Sequence, residues 1–416
     1  MMLELLKNKI KQSNEDAVNR IISAEPVLVD VAPAEDVIPG LEDRMILHAG
    51  PPVKWKNMSG GQKGSVIGIM LYENWAKTKE EAIKLLEEGA IKLEPNHHHQ
   101  AVGPMAGTIS KSMWVFVVEN QAGKNRAFCR QIESNQQFGD YSPKAIQNLI
   151  NFREIWAPSL SAALKQMGGL QLKPLITRAL QMGDELHNRQ TAASSLFANA
   201  LTIPLLKSGL PQDKILHTLG YQISHEMFFL GLSMAAAKAA ADSARGIEYS
   251  TLVTAMARNG TEFGIQVSGL EGEWFTAPAP SIDGLYLPGF GEKDAGFDTG
   301  DSAITETVGW GGFVLAGAPA ILSFVGGTPE EAIEYSRSMR KITVKTSPDY
   351  LIPALGFEGT AVGIDIRKVV KTNITPIIDT AMIHKEPGYP IIGAGLVHPP
   401  IECFILALKR FAEKYS

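Results

Sequence analysis

A long stretch of helical pattern in the middle of the chain constrains the fold more than any other feature of the sequence. Ser142 and Pro143 predict a capped helix start with a proline in the first turn, and helical periodicity continues to about residue 260. Proline and glycine breaks divide this stretch into about six helices joined by short turns, which predicts a helical bundle. The breaks fall at Pro158, Gly168-Gly169, Pro174, Pro204, Gly209-Leu210-Pro211 and Gly246.

Strand-like patterns lie on both sides of the helical stretch. Residues 27–31, 361–366 and 374–383 are rich in β-branched side chains, and residues 113–120 combine β-branched with aromatic ones. We therefore expect an α+β fold with two α/β parts and an inserted or intervening helical bundle. The predicted domains are residues 1–141, an N-terminal α/β domain, residues 142–260, the helical domain, and residues 261–416, a C-terminal α/β domain.

Composition and charge exclude several classes of protein. The chain has 416 residues, of which 45% are hydrophobic and 20% charged, values typical of a globular protein with more than one core. A net charge of −5 without a basic run argues against nucleic-acid or anionic-membrane binding. Cys129 and Cys403 stand far apart, so a disulfide framework is not indicated. No signal-peptide pattern or membrane-length apolar run is present, which predicts a cytoplasmic protein.

A glycine-rich segment at residues 59–65 suggests two interpretations. One is a phosphate-binding loop, but the spacing before Gly-Lys does not match that motif. The other is a glycine turn that leads into an apolar strand at residues 66–71, which is the interpretation favoured here.

A polar segment at residues 183–197 lies near the middle of the chain and predicts one helix. At helical spacing Asp184, His187, Asn188 and Thr191 share a stripe of short polar side chains, which favours a face turned towards a close neighbour. Arg189 projects to one side of this stripe and suits a carboxylate or phosphate. A buried helix satisfied by ordinary hydrogen bonds is the structural alternative.

Three consecutive histidines, His97 to His99, lie between a proline and a Gly-Pro pair, so we expect them on a loop. Metal binding, contact with an anionic substrate and a structural loop all remain open. On an extended chain only His97 and His99 point to the same side.

Acidic residues are concentrated between residues 271 and 306, a segment that contains eight acids and only one base, Lys293. Such a cluster needs nearby cations or a hard metal ion, and Arg189, Arg258 and Lys385 are candidate partners. Asp301 or Ser302 is a candidate cap for a helix whose free N–H groups would bind an anion.

Six segments together resemble the YlbE/YahG-like family, which was long described as a domain of unknown function and includes the AllG subunit of bacterial oxamate carbamoyltransferase. The segments are residues 96–99, 103–107, 183–189, 256–260, 300–306 and 391–395, and the resemblance covers nearly the whole chain. It implies α+β parts around a helical insert and a subunit that acts on carbamoyl oxamate and phosphate. It also implies FdrA-like and AllH-like partner subunits in a homo- or hetero-oligomer. No catalytic residue of the family is established, so none is carried over.

The first functional hypothesis is a carbamoyl- or acyl-transferring subunit for a small anionic substrate. A histidine would move a proton, Arg189 would hold a carboxylate or phosphate, and N–H groups after Asp301 would stabilise an oxyanion. No cofactor is required in this hypothesis, and no metal ligand is assigned. The candidate catalytic residues are His98, His187, Asp301 and Glu306, and the candidate substrate-binding residues are Asn96, His97, Asn188, Arg189, Asn259, Ser302, Thr305 and Lys385.

Two alternatives remain open at the level of sequence. One is a metal-dependent hydrolase or lyase in which His97 or His99 joins Asp298 or Asp301 around a divalent metal. The other is a non-catalytic scaffold whose motif residues contact partner subunits. If the single-site hypothesis holds, the segments around His98, Arg189 and Asp301 should converge on one cleft between domains.

Overall fold

Mixed sheets and helices build the protein, and the predicted α+β class is confirmed. The computed structural model describes residues 2–132 and 135–415. The elements of the N-terminal part are α1 (Met2–Ile22), β1 (Pro26–Pro33), α2 (Ala34–Val37), β2 (Met45–His48), α3 (Gly60–Tyr72), α4 (Lys79–Glu87), β3 (Lys92–Pro95), β4 (Ala101–Val102), β5 (Trp114–Asn120) and β6 (Asn125–Arg130).

A five-stranded sheet with the order β4-β6-β5-β1-β7 organises this part of the chain. Its last strand, β7, comes from the central part of the chain and pairs with β1. Leu28 and Val31 of β1 and Phe116 and Val118 of β5 lie in the largest apolar core. The histidine segment forms a single 3-10 turn, Asn96–His99, between β3 and β4, in agreement with the predicted loop.

Six helices follow, and they account for most of the central region. They are α5 (Pro143–Asn151), α6 (Ala157–Met167), α7 (Lys173–Gln181), α8 (Thr191–Lys207), α9 (Gln212–Ser224) and α10 (Leu230–Asp242), with β7 (Leu170–Gln171) between α6 and α7. Every residue from 230 to 241 is buried, because the small side chains of α10 let it pack against β5 and β6 and against the helix that carries Glu306. Whether these helices form a separate inserted domain stays a prediction.

The C-terminal part contains three further sheets, with the orders β10-β9-β8-β12, β11-β16-β15 and β13-β14. Its elements are β8 (Val253–Asn259), β9 (Glu262–Val267), β10 (Phe275–Pro278), β11 (Asp283–Tyr286), β12 (Thr299–Gly300), α11 (Ile304–Thr307), α12 (Leu322–Val325), α13 (Pro329–Ser338), β13 (Thr343–Ile352), β14 (Glu358–Ile364), α14 (Ile366–Thr372), β15 (Ile378–Ile383), β16 (Ile391–Val397) and α15 (Ile401–Tyr415). The central run of helices ends with α10 at Asp242. The prediction that it continues to about residue 260 is therefore wrong, because residues 253–259 form β8.

Two local predictions are also wrong. Residues 184–190 form a loop instead of the first turns of a helix, and α8 starts only at Thr191. Residues 66–71 belong to α3, a helix capped by the Ser59 hydroxyl, which accepts a hydrogen bond from the Gln62 N–H. A helix buried on most sides is apolar almost all round, so its pattern imitates that of a buried strand.

Across residues 2–132 and 135–415, every helix is too short or too polar to cross a bilayer.

Candidate active site

The loop between α7 and α8 is held in place by the carboxylate of Glu185. One oxygen accepts a hydrogen bond from the His187 N–H at 2.8 Å, and the other accepts one from the Arg189 N–H. Leu186 between them has a φ of 73°, a conformation unusual for a side chain of this type. Asp184 accepts hydrogen bonds from the N–H groups of Ala192 and Ala193 and so caps α8. These hydrogen bonds fix the path of the loop backbone, and the His187 side chain is buried beneath it.

Three buried side chains meet at this loop and form what we call the His187 centre: His187, Glu306 of α11 and Asp379 of β15. His187 Nδ1 lies 2.8 Å from Glu306 Oε1 and 3.6 Å from Asp379 Oδ1. Ligand atoms of the three residues all lie within 4.8 Å of one another, and no other group of three His, Cys, Asp or Glu residues in the described chain does so. These are the residues that could hold a metal ion.

The Glu306 carboxylate is fixed by its own neighbourhood. Oε1 accepts a hydrogen bond from the Gly312 N–H at 2.9 Å, and Oε2 accepts one from the Thr305 hydroxyl at 3.0 Å. Gly311 has a φ of 59°, and a Cβ placed there would lie 1.9 Å from Glu306 Oε1. Only glycine fits both the conformation and the space at this position. The Gly-Gly pair therefore brings the backbone close enough to hold the carboxylate.

Burial dominates the electrostatics of the His187 centre. It raises the pKa of Glu306 to about 7 and that of Asp379 to about 7, although His187 opposes the second shift. Burial, followed by the Asp379 carboxyl, raises the pKa of Glu185 well above its usual value. Burial also lowers the pKa of His187 to about 4. The cause is the same throughout, because a medium of low dielectric penalises each charged form.

A second buried acid, Asp301, has a contrasting environment, which we call the Asp301 centre. Its carboxylate accepts hydrogen bonds from the N–H groups of Gly50 at 2.7 Å and Gly103 at 2.9 Å and from the Asn96 amide at 2.8 Å. His97 Nε2 lies 3.5 Å away. Burial alone would raise the pKa of Asp301, but His97 and these donors outweigh it, and the pKa lies below its usual value. Asp301 is thus a satisfied anion that joins three segments of chain.

Arg258 links the two centres. Its guanidinium donates to Asp298 at 2.7 Å and to the Thr380 hydroxyl at 3.0 Å, and Thr380 is the residue after Asp379. It also donates to the Gly300 carbonyl at 2.9 Å and to Ser302 Oγ at 3.3 Å. Arg258 therefore supplies the expected counter-charge to the acidic segment, but its hydrogen-bonding groups are already engaged.

The structure brings together only some of the predicted site residues. Glu306 meets His187, and Thr305 supports Glu306. Asn96 and His97 meet Asp301, and Ser302 contacts Arg258 instead of capping a longer helix. The polar segment and the histidine segment thus each meet the acidic segment, but they do so at two separate, neighbouring centres.

Other predicted residues lie apart from both centres. His98 is exposed, and its Nε2 accepts a hydrogen bond from Trp274. Arg189 is half-buried and donates to the Gly183 carbonyl of its own loop, so in the described residues it does not neutralise the acidic segment. Asn259 closes a turn by accepting from Thr261, and Lys385 donates to the Lys293 carbonyl.

Neither Asn188 nor the metal set predicted from the sequence takes part in the His187 centre. Asn188 is half-buried, and its side-chain nitrogen has no hydrogen-bond partner among the described residues. His99 Nδ1 pairs with the Pro39 carbonyl at 2.9 Å, and the Asp298 carboxylate pairs with Arg258. Of the predicted metal pairs, His97 with Asp301 does come together, since His97 Nε2 lies 3.5 Å from Asp301 Oδ1, but no third His, Cys, Asp or Glu among the described residues joins them within 4.8 Å. A metal ion at this pair stays a prediction.

One residue of the His187 centre, Asp379, and its neighbour Glu185 were not predicted. Asp379 lies in a run of apolar residues within β15, where all six positions are buried. A single acid in such a strand is itself a signal, because an unpaired charge is costly in an apolar interior. Glu185 lies inside the polar segment, but the assumed helix placed it off the stripe.

Comparison with known proteins gives consistent results. The family model for the oxamate carbamoyltransferase subunit AllG matches residues 91–302. The uncharacterized protein YahG of Escherichia coli (strain K12) is 44% identical over 99% of this chain and 88% of its own length. The oxamate carbamoyltransferase subunit AllG of the same organism is 41% identical over 97% of this chain and 98% of its own.

A solved structure is similar over its full length. The crystal structure of a conserved protein of unknown function from Enterococcus faecalis V583 superposes with a TM-score of 0.97, at 42% identity, and the match covers 99% of each chain. The arrangement of elements described above is therefore shared with that protein.

Proposed function

Because this chain belongs to the family of the oxamate carbamoyltransferase subunit AllG, we propose that it is a subunit of a carbamoyl-transferring enzyme. The reaction proposed is that of carbamoyl oxamate with phosphate to give oxamate and carbamoyl phosphate. One observation supports a location for the reaction site. His187, Glu306 and Asp379, from three distant parts of the chain, meet in one buried centre. We take the His187 centre as the reaction site.

The reaction sets clear chemical requirements. A phosphate oxygen bonds to the carbamoyl carbon, the bond from that carbon to the oxamate nitrogen breaks, and the phosphate proton ends on the departing nitrogen. Two kinds of help lower the barrier: a group that carries the proton, and positive charge or hydrogen bonds that polarise the carbamoyl carbonyl. An imidazole and carboxyl groups in a water-poor site are suited to the first kind. His187 and Glu306 are therefore the residues proposed to matter most.

The charge of the site supports the role of a subunit. Both substrates are anions, whereas Glu185, Glu306 and Asp379 bring three carboxyl groups to the site, and Arg258 is already committed to Asp298. A carboxylate and a phosphate need cationic contacts, and in the described residues the centre has none to spare. Under the proposal these contacts come from outside this chain's side chains. FdrA-like and AllH-like partner subunits are the proposed source of a complete site.

Reconstitution tests the proposal. The full chain is mixed with FdrA-like and AllH-like subunits, and carbamoyl phosphate formed from carbamoyl oxamate and phosphate is measured. Turnover is expected only in the complete complex, and Glu306→Gln should lower kcat/KM at least ~100-fold with the complex intact by gel filtration, a loss typical of a proton-transfer group. Glu292→Gln, an exposed acid of the same segment, is the matched control and should keep the activity. A verified complete complex without turnover would contradict the proposal, as would a Glu306→Gln variant within about threefold of wild type.

A further inference from the structure

The carboxylate of Asp379 lacks the partners that a buried anion requires. The residue is 0% exposed, and neither carboxylate oxygen accepts a hydrogen bond from a described residue. The groups nearest to it are the imidazole of His187 and the carboxyl groups of Glu306 and Glu185. Buried polar groups are almost always hydrogen-bonded, and a bare buried charge costs several kcal/mol. A proton shared with the neighbouring carboxyl groups or a bound cation would balance Asp379, and the geometry of the three side chains favours the cation.

The three side chains of the His187 centre are arranged as a cation would need them. A metal with bonds of about 2.0–2.2 Å to imidazole nitrogen and carboxylate oxygen has neighbouring ligand atoms roughly 3–3.5 Å apart. The distances from His187 Nδ1 are 3.1 Å to Glu306 Oε2 and 3.6 Å to Asp379 Oδ1. Small side-chain adjustments would therefore be enough to admit the ion.

The supporting contacts resemble those that orient metal ligands elsewhere. Gly312 and Thr305 donate hydrogen bonds to Glu306, and Glu185 fixes the backbone of His187. Outer contacts of this kind hold first ligands in position. Asn188 and Arg189, the two residues that follow His187 in the loop, are half-buried, so the chain reaches the surface directly after His187.

We propose that His187, Glu306 and Asp379 form a binding site for one divalent transition-metal ion, with Zn²⁺ and Mn²⁺ as the best matches. One imidazole with two carboxylates and no thiolate suits these ions better than soft metals or Ca²⁺, because the nitrogen ligand favours transition metals and the carboxylates favour harder ions. Both cysteines lie in other cores. The ion would convert an acidic centre into one that attracts anions. The site does not depend on the proposed reaction.

Direct binding measurements test this site independently of activity. The full chain is stripped with chelator and dialysed to equilibrium against Zn²⁺ or Mn²⁺ at neutral pH, and bound metal is measured by mass spectrometry. About one ion per chain is expected for at least one of the two metals. Saturating metal should also raise the Tm by roughly 3 °C or more, since only the folded chain presents the three ligands together.

Matched variants assign the ion to its ligands. Asp379→Asn keeps the shape of the side chain and should weaken binding at least ~10-fold, and Glu306→Gln should do the same, because each removes an anionic ligand. Glu292→Gln should bind as the wild type does. Circular dichroism confirms that each variant folds. Less than ~0.2 ion per chain for both metals would overturn the proposal, and so would unchanged binding in Asp379→Asn or equal loss in Glu292→Gln. Failure of the enzymatic assay alone would leave the metal site standing.

Discussion

Two buried acid and histidine centres lie close together in this protein, and they are built in opposite ways. The Asp301 centre offers its carboxylate three hydrogen-bond donors, and the pKa of Asp301 lies below its usual value despite burial. In the His187 centre no described residue donates a hydrogen bond to the Asp379 oxygens, and burial raises the pKa of Asp379 to about 7. Both acids are fully buried, so the difference lies in their neighbours: His97, followed by the hydrogen-bond donors, lowers the pKa of Asp301, whereas Asp379 is surrounded mainly by other carboxyl groups. A satisfied buried acid holds a fold together, whereas an unsatisfied one points to a function.

The largest effect on stability is expected from a substitution that disrupts the Asp301 centre. Asp301→Ala removes the acceptor shared by Gly50, Gly103 and Asn96 and leaves these buried donors unpaired. We expect a loss of about 3–5 kcal/mol in the free energy of unfolding. Urea denaturation followed by circular dichroism measures it. A loss below about 1 kcal/mol would mean that solvent replaces the carboxylate and that the centre is not structural.

A substitution in the His187 centre is expected to change the free energy of unfolding in the opposite direction. With chelator present, Asp379→Asn should raise the free energy of unfolding by about 1–2 kcal/mol, because it removes a poorly compensated buried charge and adds a donor for the neighbouring carboxyl groups. The same urea titration applies, with Asp301→Asn as the comparison in a satisfied site. A destabilisation by Asp379→Asn in the metal-free protein would show that the two centres are alike.

The contribution of Asp301 to the stability of the folded protein should depend on pH in a defined direction. Because the pKa of Asp301 is lowered in the folded protein, its contribution to stability is present above the unfolded value of about 4 and is lost as the pH falls below it. The penalty of Asp301→Asn should therefore be full at pH 6–7 and should shrink below pH ~4, as the wild type becomes protonated too. Thermal melts of both proteins across this range measure the difference. A penalty independent of pH would assign the loss to packing.

The smallest effect is expected at Arg189, on the surface side of the same loop. Its side chain is about one-third exposed, lies 3.7 Å from Asp184 and donates to the Gly183 carbonyl. Arg189→Ala should lower the free energy of unfolding by no more than ~1 kcal/mol, since exposed ion pairs contribute little. Stability of the isolated chain and co-purification of the partner subunits are both measured. If the chain stays stable but the partners are lost, Arg189 belongs to an interface and not to the buried centre.

Much of the site was predictable in kind but not in geometry. The polar segment, the histidine turn and the acidic segment were each selected for residue types that are unusual in their local pattern, and Glu306, His187, Asp301 and Asn96 come from them. The pairing was not predictable, since His187 and Glu306 are 119 positions apart and Asn96 and Asp301 are 205 apart. His98 was included as part of the histidine segment and Lys385 as a cation for the acidic segment, but they contact Trp274 and the Lys293 carbonyl instead.

The helix assumed through residues 183–190 shows why local pattern failed at the site itself. Helical spacing fits those residues, but the Glu185 carboxylate takes the N–H groups of His187 and Arg189, and Leu186 adopts a positive φ. These tertiary hydrogen bonds outweigh a weak intrinsic helix preference. For the same reason Glu185 was not predicted as a site residue, because a helical projection places it away from His187.

The sequence by itself determined the α+β class, the six central helices and the family, because these depend on periodicity, on breaks at proline and glycine and on long motifs. Only the tertiary structure decided that Asp379 completes the centre of His187 and Glu306 and that Asp301 belongs to a separate, satisfied one. The physical reason is that the state of a buried acid depends on the donors and charges within a few ångströms. Those neighbours come from strands, loops and turns that are distant in the chain, and folding alone brings them together.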